Sequence, residues 1–258
     1  MLVEQTLFGE IDRVAISIDR IRHFEPDDGY YLADSGGKDS SVARDLLKRS
    51  GVKYDSHYMV TTIDPPDLVR FIREHHPETE RHYPPRPYFK EIVRRGFPHR
   101  NRRWCCEFLK EWGGADRWVV TGIRHSESRH RLKRRMVEPC NKGGKMGSKW
   151  YLNPIIDWGD AEVWEYIHKY EVPYCHLYDE GWKRIGCLGC PCSYYKRRNK
   201  ELNEYPRIRR AYQRAFHELY EKNRDNPAYA RWSSGEEMFL WWLQDKSVDN
   251  DGVMPLFV

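Results

Sequence analysis

Residues 30–51 read YYLADSGGKDSSVARDLLKRSG and combine an apolar run, a glycine-rich break and a helical pattern. The first five residues are an apolar and aromatic run that ends in a Ser-Gly-Gly break, which is typical of a buried strand followed by a turn. Apolar residues then recur at helical spacing, at Val42, Ala43, Leu46 and Leu47. Asp39 or Ser40 is a suitable helix start and Gly51 a suitable end. The stretch therefore predicts a strand, a loop and a helix in succession.

The rest of the chain repeats this alternation. KYDSHYMVTT (53–62) and RWVVTG (117–122) predict further strands, and DLVRFIREHH (67–76) predicts a helix. YLNPIIDW (151–158) leads into the predicted helix DAEVWEYIHKY (160–170). Strands that alternate with helices imply an α/β fold with a doubly wound, mostly parallel sheet.

Composition indicates a folded chain with one main domain. Of its 258 residues, 40% are hydrophobic and 14% aromatic, too many for a disordered chain. No apolar run approaches the roughly 20 residues of a membrane span, and residues 1–30 do not resemble a secretory signal. We therefore expect a cytoplasmic protein, in which seven cysteines favour metal or sulfur chemistry over a disulfide framework.

The loop SGGKDS, residues 35–40, follows the first strand where an open parallel sheet binds ligands. Gly36 and Gly37 allow the backbone amides to approach an anion, and Lys38 adds a positive charge. Ser35 and Ser40 can donate hydroxyl hydrogen bonds. The loop lacks the glycine spacing of a Walker A motif and the third glycine of a dinucleotide fingerprint. It predicts a phosphate site of another kind; a glycine turn without a ligand is the alternative.

Four cysteines have the spacing of a metal centre. Cys105 and Cys106 are adjacent, and Cys187 and Cys190 form a C-x-x-C. Four thiolates suit a [4Fe–4S] cluster, whereas neighbouring cysteines reach a single zinc ion poorly. Zinc and unligated core cysteines are the alternatives. Cys192 lies two residues beyond this C-x-x-C. It could carry a persulfide beside a cluster, and a buried apolar side chain is the alternative.

Other cysteines and histidines have no such spacing. We expect Cys140 and Cys175 to be buried apolar side chains. His57, His82, His125 and His168 share no ligand spacing and are expected to be structural.

Composition along the chain suggests three segments. We expect an N-terminal extension over residues 1–28 and a phosphate-binding domain with the cluster cysteines over residues 29–195. Helical patterns without strand signals predict a C-terminal extension over residues 196–258. NKGGKMGSK (141–149) is expected to be a flexible surface loop.

The loop and three later blocks resemble a known family. SGGKDS after an opening strand is similar to the PP-loop of adenine nucleotide alpha-hydrolases. WVVTGIRHSESRHR (118–131) resembles that group's next segment and supplies Gly122, Arg124, Glu127, Ser128 and Arg131. NPIIDWGDAEVWEYI (153–167) and LYDEGWKRIGCLGCP (177–191) resemble two further blocks. Over roughly residues 30–193 the chain is therefore identified as a member of the phosphoadenosine phosphosulfate (PAPS) reductase family.

The resemblance implies a PP-loop, Rossmann-like domain that binds ATP or a related adenine nucleotide and breaks the bond between its α and β phosphates. It implies catalytic roles for Lys38 and Asp39, with Mg²⁺ bridging phosphate oxygens. The nucleotide contacts that it implies are Ser35, Gly36, Gly37, Lys38, Asp39, Ser40, Asp64, Gly122, Arg124 and Arg131. The segment TTIDPPD around Asp64 departs from the family's Asp-Thr-Gly pattern. Cluster-bearing relatives share the arrangement of Cys105, Cys106, Cys187 and Cys190.

Three functions stay open at this point. Family reductases use a cysteine near the C-terminus, and here no cysteine follows Cys192. This favours an adenylating enzyme that transfers sulfur to tRNA or DNA, with a sulfur donor such as a cysteine desulfurase. The cluster then either binds sulfide after losing a cysteine or acts electrostatically.

The second function is a sulfonucleotide reductase in which Cys192 or a partner supplies the thiol and thioredoxin resolves the intermediate. The third is a nucleotide-sensing, cluster-bearing module that binds nucleic acid. The net charge is only +5, but basic residues cluster over residues 124–135 and 196–200, and such clusters suit a polyanion. Five arginines of the helical extension are candidates to contact a phosphate backbone: Arg197, Arg198, Arg207, Arg209 and Arg210.

Overall fold

The computed structural model describes residues 1–7, 9–140 and 148–244. These residues form two compact units built from discontinuous segments. The first unit comprises Met1–Met59, Pro66–His82 and Trp112–Ile185, within the described residues. The second comprises Val60–Pro65, Tyr83–Glu111 and the described part of Gly186–Val258.

The strands and helices are numbered here in chain order. The strands are β1 (Val3–Thr6), β2 (Gly9–Asp12), β3 (Tyr30–Ala33), β4 (Tyr54–Met59), β5 (Glu80–His82), β6 (Trp118–Val120), β7 (Val137–Pro139) and β8 (Trp150–Leu152). The helices are α1 (Arg13–His23), α2 (Lys38–Ser50), α3 (Pro66–His75), α4 (Tyr88–Arg95), α5 (Trp104–Leu109), α6 (Asp160–Lys169), α7 (Tyr195–Glu204), α8 (Pro206–Lys222) and α9 (Gly235–Leu243).

The central sheet of the first unit has the strand order β5-β4-β3-β6-β8-β7. Neighbouring strands are parallel from β5 to β8, and β7 alone runs antiparallel to its neighbour β8. The chain turns outward from β3 toward β5, then returns to the other side of β3 at β6. The predicted α/β fold with a doubly wound, mostly parallel sheet is confirmed.

Helix α2 ends at Gly51 as its sequence predicts, but it begins at Lys38, before the predicted start at Asp39 or Ser40. Gly37 is its N-terminal cap, and Gly51 adopts the left-handed conformation at its C-terminal end, with φ +74°. Its buried side chains include Val42, Leu46 and Leu47, and they join one core with Leu32 of β3 and Val163 of α6. This packing fixes the first turn of α2 at the carboxyl end of β3.

The N-terminal segment belongs to the same core. Strands β1 and β2 form an antiparallel hairpin that leads into α1. Leu2, Val14 and Ile21 are buried in the core beside α2. The sequence patterns did not predict these elements.

The second unit is helical in its described part, as expected for the residues that follow Cys192. Tyr212 of α8 stacks on Trp242 of α9 with ring centroids 5.2 Å apart. Phe97 stacks on Phe216 of α8 at 5.3 Å, so large aromatic side chains form this core. Residues 245–258, and residues 141–147 of the predicted surface loop, lie outside the described residues. No helix in the described part of the chain is both long enough and apolar enough to cross a bilayer.

Candidate functional site

The candidate nucleotide site begins at Asp34, directly after β3. Its carboxylate is 2% exposed and accepts the backbone N–H of Gly36 at 2.9 Å. His76 lies 2.7 Å from the same carboxylate and Arg44 lies 3.3 Å from it. Burial raises the pKa of Asp34, but the hydrogen bond from His76 and the charges of His76 and Arg44 hold it below its usual value. An anchored carboxylate therefore fixes the start of the loop.

Gly36 allows the loop to turn close against α3. Its φ is +67°, in the left-handed region. A Cβ atom there would lie 2.6 Å from Ile72 and 3.0 Å from Leu68. Neither the conformation nor the space suits another residue.

The two serines of the loop are joined to each other. Their Oγ atoms lie 3.1 Å apart, and Ser40 Oγ donates to the Gly37 carbonyl at 2.9 Å. Ser40 Oγ also accepts the Ser35 backbone N–H at 3.3 Å. These bonds close residues 35–40 around the first turn of α2, whose amides have no acceptors within the helix. The positive end of the helix dipole adds to the attraction for an anion at this point.

Lys38 is buried at this helix start, with 4% of its surface exposed. Its Nζ lies 3.0 Å from Asp160 Oδ1 and 3.5 Å from Asp39 Oδ2. Desolvation raises the pKa of Asp160, but Lys38 and Arg124 outweigh it and hold that pKa below its usual value. The ammonium group of Lys38 is thus paired with two carboxylates.

Arg124 converges on the same carboxylates from the loop after β6. It is 3% exposed and donates through Nε to Asp39 Oδ1 at 2.7 Å and through Nη2 to Asp160 at 3.1 Å. Burial raises the pKa of the Asp39 carboxyl above its ordinary value, although Lys38 and Arg124 pull it down. Gly122 makes this approach possible, because a Cβ there would lie 2.5 Å from the Asp39 backbone.

The arrangement joins buried cations, a glycine turn and the first turn of a helix in one place. Lys38, Asp39, Gly122 and Arg124 were predicted to share a site, and the structure brings them together. Arg131 is half-buried in the same unit. Desolvation lowers the pKa of Arg131, with Arg134 and Arg184 adding to the effect. Asp64 belongs to the second unit, where its charge acts on Lys110.

Tyr178 is a site residue that the sequence patterns did not single out. Its hydroxyl accepts the backbone N–H of Lys38 at 3.0 Å, and its ring lies 5.7 Å from Lys38 Nζ. The hydroxyl therefore accepts a backbone hydrogen bond that a bound anion would otherwise accept. The contact spans 140 residues of sequence, so only its presence in the block LYDEGW could have drawn attention to it.

Five cysteines lie in the second unit: Cys105, Cys106, Cys187, Cys190 and Cys192. Hydrogen bonds pair Cys105 with Cys106, Cys190 with Cys192, and Lys110 with Cys187. Cys192 is exposed, and Arg103 Nη1 lies 3.9 Å from its sulfur. The hydrogen bond from Cys190, aided by Arg103, lowers the pKa of the Cys192 thiol to about 6.

The cysteine sulfurs are spread more widely than the ligands of one ion. A tetrahedral zinc site holds its thiolates about 3.8 Å apart, given Zn–S bonds of about 2.3 Å. Among the described residues, one group of His, Cys, Asp or Glu has its ligand atoms all within 4.8 Å, and it contains no cysteine. In the described part of the chain, no three of these sulfurs therefore lie within 4.8 Å of one another.

Cys140 and Cys175 lie in the first unit. Cys175 is fully buried, and Cys140 is half-buried with its sulfur 3.9 Å from the Tyr151 hydroxyl.

The arginines of the helical extension differ in exposure. Arg198 is 1% exposed, with its guanidinium 5.1 Å from the Trp242 ring, so it is not available to a surface partner as the sequence suggested. Arg197 pairs with Glu201 at 2.6 Å. Arg207 and Arg210 are exposed on α8.

Comparisons with known proteins add a family match. The profile of the phosphoadenosine phosphosulfate reductase domain matches residues 30–193. The chain is 28% identical over 209 residues to the uncharacterized protein MJ0066 of Methanocaldococcus jannaschii, which covers 74% of this chain and 42% of that protein. It is 27% identical over 181 residues to the adenosine 5'-phosphosulfate reductase of Allochromatium vinosum, covering 63% of this chain and 68% of the relative.

One solved structure supports the fold. The phosphate complex of phosphoadenylyl-sulfate (PAPS) reductase from Candida auris matches with a TM-score of 0.51 at 21% identity, over 66% of this chain and 87% of that chain. At this identity the likeness concerns the fold, which is the PP-loop, Rossmann-like arrangement. The chain spans 42% and 44% of the first two relatives that it matches in sequence, less than half of each.

Proposed function

The chain belongs to the phosphoadenosine phosphosulfate reductase domain family, and from this premise we propose that it cleaves ATP to AMP and pyrophosphate to activate a substrate for sulfur transfer. The observation that carries the proposal is the convergence of Lys38 and Arg124 on the first turn of α2. Both side chains are buried, at 4% and 3% exposure. A buried cation pair beside the amides of a helix's first turn is a strong site for a polyphosphate.

Binding of the nucleotide starts at the glycine loop. The amides of residues 37–40 and the hydroxyls of Ser35 and Ser40 donate to phosphate oxygens. A phosphate at Lys38 replaces Asp160 as the partner of the ammonium, and the Tyr178 hydroxyl gives up the Lys38 N–H. Binding therefore exchanges contacts within the chain for contacts with the ligand.

The reaction breaks the bond between the α and β phosphates. A nucleophile of the substrate attacks the α phosphorus, the bridging oxygen leaves with pyrophosphate, and AMP stays attached to the substrate. Lys38 and Arg124 stabilise the negative charge that develops on the leaving pyrophosphate. Mg²⁺ prefers oxygen ligands, and the carboxylates of Asp39 and Asp160 supply them beside Lys38. When bound, the ion neutralises phosphate charge.

The cysteines of the second unit fit an iron–sulfur cluster. Cys105, Cys106, Cys187 and Cys190 supply the four thiolates that a [4Fe–4S] cluster takes, and Lys110 and Arg103 offset their negative charge. Such a cluster supplies electron transfer or a sulfur-binding iron when bound. Cys192, next to this set, is the thiol that we assign to sulfur handling.

The substrate that we propose is tRNA or DNA, with a cysteine desulfurase as the sulfur source. The exposed arginines Arg207 and Arg210 on α8 support a polyanionic partner.

A second function has support of its own, namely reduction of a sulfonucleotide. One relative is named adenosine 5'-phosphosulfate reductase, and Cys192 is exposed beside Arg103. In that reaction the Cys192 sulfur attacks the sulfate sulfur and AMP leaves, giving an S-sulfonate. A thioredoxin thiol then attacks Cys192, forms a mixed disulfide and releases sulfite, and the second thioredoxin thiol resolves that disulfide.

One experiment separates the two functions. Protein purified and reconstituted without oxygen is incubated with Mg-ATP and total tRNA or plasmid DNA. Parallel samples receive adenosine phosphosulfate or its 3′-phosphorylated form with reduced thioredoxin. Pyrophosphate, AMP and sulfite are quantified for the wild type, Lys38→Ala and Lys48→Ala. Lys48 is the matched control, because it lies on the same helix with 52% of its side chain exposed.

Pyrophosphate released in similar amounts by the wild type and Lys48→Ala but not by Lys38→Ala, with the matching AMP attached to the nucleic acid, supports the adenylating reaction. Sulfite release without ATP cleavage contradicts it and favours the reductase, provided that Cys192→Ser abolishes the sulfite. Nucleotide binding without any turnover contradicts both and leaves a nucleotide-sensing module.

A further inference from the structure

Strand register brings two histidines and a glutamate together at the edge of the sheet. β5 is the edge strand and pairs in parallel with β4. His57 lies opposite Glu80, and Met59 lies opposite His82. Successive residues of a strand alternate between faces, so His57, Glu80 and His82 are neighbours on one face. Twenty-five residues separate the two histidines in sequence, which is why their spacing suggested no shared site.

The ligand atoms of these three side chains face one another. His57 Nδ1 lies 2.8 Å from His82 Nε2. The Glu80 carboxylate lies 3.6 Å from His57 Nδ1 and 3.7 Å from His82 Nε2. Two nitrogen ligands of a tetrahedral zinc ion are about 3.3 Å apart, given Zn–N bonds of about 2.0 Å. The triangle therefore has the size of one face of such a site.

A hydrogen-bond chain fixes the tautomer of His57 that a metal requires. Asp55 accepts a hydrogen bond from His57 Nε2, which leaves the lone pair on Nδ1 directed at His82 and Glu80. Arg117 donates two hydrogen bonds to Asp55, the shorter at 2.5 Å. A carboxylate that holds the far nitrogen of a histidine is the usual outer partner of a metal-binding imidazole.

The rings are also held by packing. His57 is 7% exposed and stacks on Tyr31 with ring centroids 3.9 Å apart. The edge of His82 meets Trp112 at 5.8 Å. The two imidazoles therefore have little freedom to turn away from each other, so the site is organised before any ion arrives.

We propose that His57, Glu80 and His82 form a binding site for a divalent transition-metal ion of the zinc class, separate from the cysteines. Two imidazoles and one carboxylate are a donor set that zinc prefers. The Glu80 side chain is 66% exposed and borders a cavity of about 450 Å³, which gives an ion access from solvent. Three protein ligands leave one position for water, as in sites that activate a water molecule.

The pair of imidazoles is also satisfied without a metal, because one N–H can be shared between the two nitrogens. The test must therefore measure binding. Anaerobic, cluster-loaded protein is titrated with Co²⁺ and with Zn²⁺. Cobalt bound by nitrogen and oxygen gives weak ligand-field bands, whereas cobalt bound by cysteine adds intense sulfur-to-metal charge-transfer bands, so the spectrum separates this site from the thiolates.

We expect one equivalent of Co²⁺ with ligand-field bands and without new charge-transfer bands, displaced by Zn²⁺. Glu80→Gln and His82→Gln each remove a ligand and should weaken Zn²⁺ binding by at least about tenfold, and Asp55→Asn by about 10- to 100-fold through the loss of the outer partner. His75→Gln is the matched control, because His75 is exposed on α3 outside the triangle, and it should bind as the wild type does.

If His82→Gln lowers the melting temperature, its weaker binding could reflect partial unfolding. Glu80→Gln then provides the test, because it changes an exposed side chain. Absence of a cysteine-independent equivalent in the wild type overturns the proposal. So does an equivalent whose affinity is unchanged in both Glu80→Gln and His82→Gln.

Discussion

Lys38 Nζ and Asp160 Oδ1 lie 3.0 Å apart, and this ion pair joins the first turn of α2 to the first turn of α6. The same oxygen of Asp160 accepts from Arg124 Nη2 at 3.1 Å. One carboxylate oxygen therefore sits where two cations of the loop converge. An arriving phosphate competes with this carboxylate for both of them.

Replacing Asp160 should strengthen binding of a free polyphosphate. Asp160→Asn removes a negative charge that occupies Lys38 and Arg124, so we expect affinity for pyrophosphate without Mg²⁺ to rise by about tenfold, or about 1.4 kcal/mol. Titration calorimetry at low salt measures the change. Glu165→Gln on the same helix α6 is the control and should bind as the wild type does. Weaker binding in Asp160→Asn would instead mean that Asp160 orients the cations.

Gly36 should be intolerant of a side chain for two separate reasons. Gly36→Ala introduces strain at a φ of +67° and places a Cβ 2.6 Å from Ile72. Gly181→Ala shares the first reason only, because its φ is +84° and no atom of the described residues lies within 4 Å of the new atom. We expect Gly36→Ala to lose about 1–3 kcal/mol more than Gly181→Ala from overpacking. Urea unfolding compares them, and equal losses would contradict the steric argument.

Acid should remove the stabilisation that Asp34 provides. Its pKa is lowered in the folded state, so this contribution is complete above the unfolded pKa of about 3.9 and is lost as the pH falls through the folded pKa. Asp34→Asn leaves Arg44 buried without this partner and should cost about 3–5 kcal/mol at pH 7.

The measurement is urea unfolding of the wild type and Asp34→Asn between pH 3 and pH 7. The difference in unfolding free energy between them should be constant at neutral pH and should shrink below about pH 4. Asp19→Asn, an exposed change on α1, is the control for stability at pH 7. If the difference in unfolding free energy instead grew as the pH fell, the pKa of Asp34 would not be lowered in the folded state.

Local patterns in the sequence predicted the elements that local forces determine. Helix α2 carries its own apolar stripe and a glycine at its C-terminal end, so this helix, its end and the phosphate loop before it could be predicted, whereas its start lies before the predicted Asp39 or Ser40. Strands β5 (Glu80–His82) and β7 (Val137–Pro139) have three residues each and lack the apolar run that predicted β6, so the sequence gives no signal for them.

Contacts between distant elements could not be predicted in the same way. The approach of His57 to His82 depends on the register of β4 and β5, which no residue spacing encodes. Gly122 is explained by its 2.5 Å approach to the Asp39 backbone, which requires β6 beside β3. The compact units are also discontinuous along the chain, whereas shifts in composition reveal only consecutive segments.

The Tyr178 hydroxyl should compete with phosphate at the loop. It accepts the Lys38 N–H at 3.0 Å, and a phosphate must replace it. Tyr178→Phe should therefore lower the stability of the ligand-free protein by about 0.5–1.5 kcal/mol and increase the stabilisation that pyrophosphate provides. Thermal unfolding with and without pyrophosphate measures both effects. Tyr174→Phe is the control, because its hydroxyl donates to Asp179 at 3.1 Å on the surface. An unchanged ligand effect in Tyr178→Phe would contradict the competition.

Cys190 and Cys192 can be told apart by iron content. The two side chains are hydrogen-bonded to each other, but Cys190 belongs to the C-x-x-C with Cys187 and Cys192 is exposed. We expect Cys190→Ser to lose most of the bound iron and sulfide, because a [4Fe–4S] cluster takes four thiolates. Cys192→Ser is the matched change two residues away and should retain about four irons per chain.

Anaerobic reconstitution followed by iron and acid-labile sulfide analysis provides the comparison, with circular dichroism to show that both variants fold. Loss of iron in Cys192→Ser alone would make Cys192 the ligand and Cys190 the free thiol. Equal loss of iron in Cys190→Ser and Cys192→Ser would contradict the proposal that Cys192 is a free thiol available for sulfur chemistry.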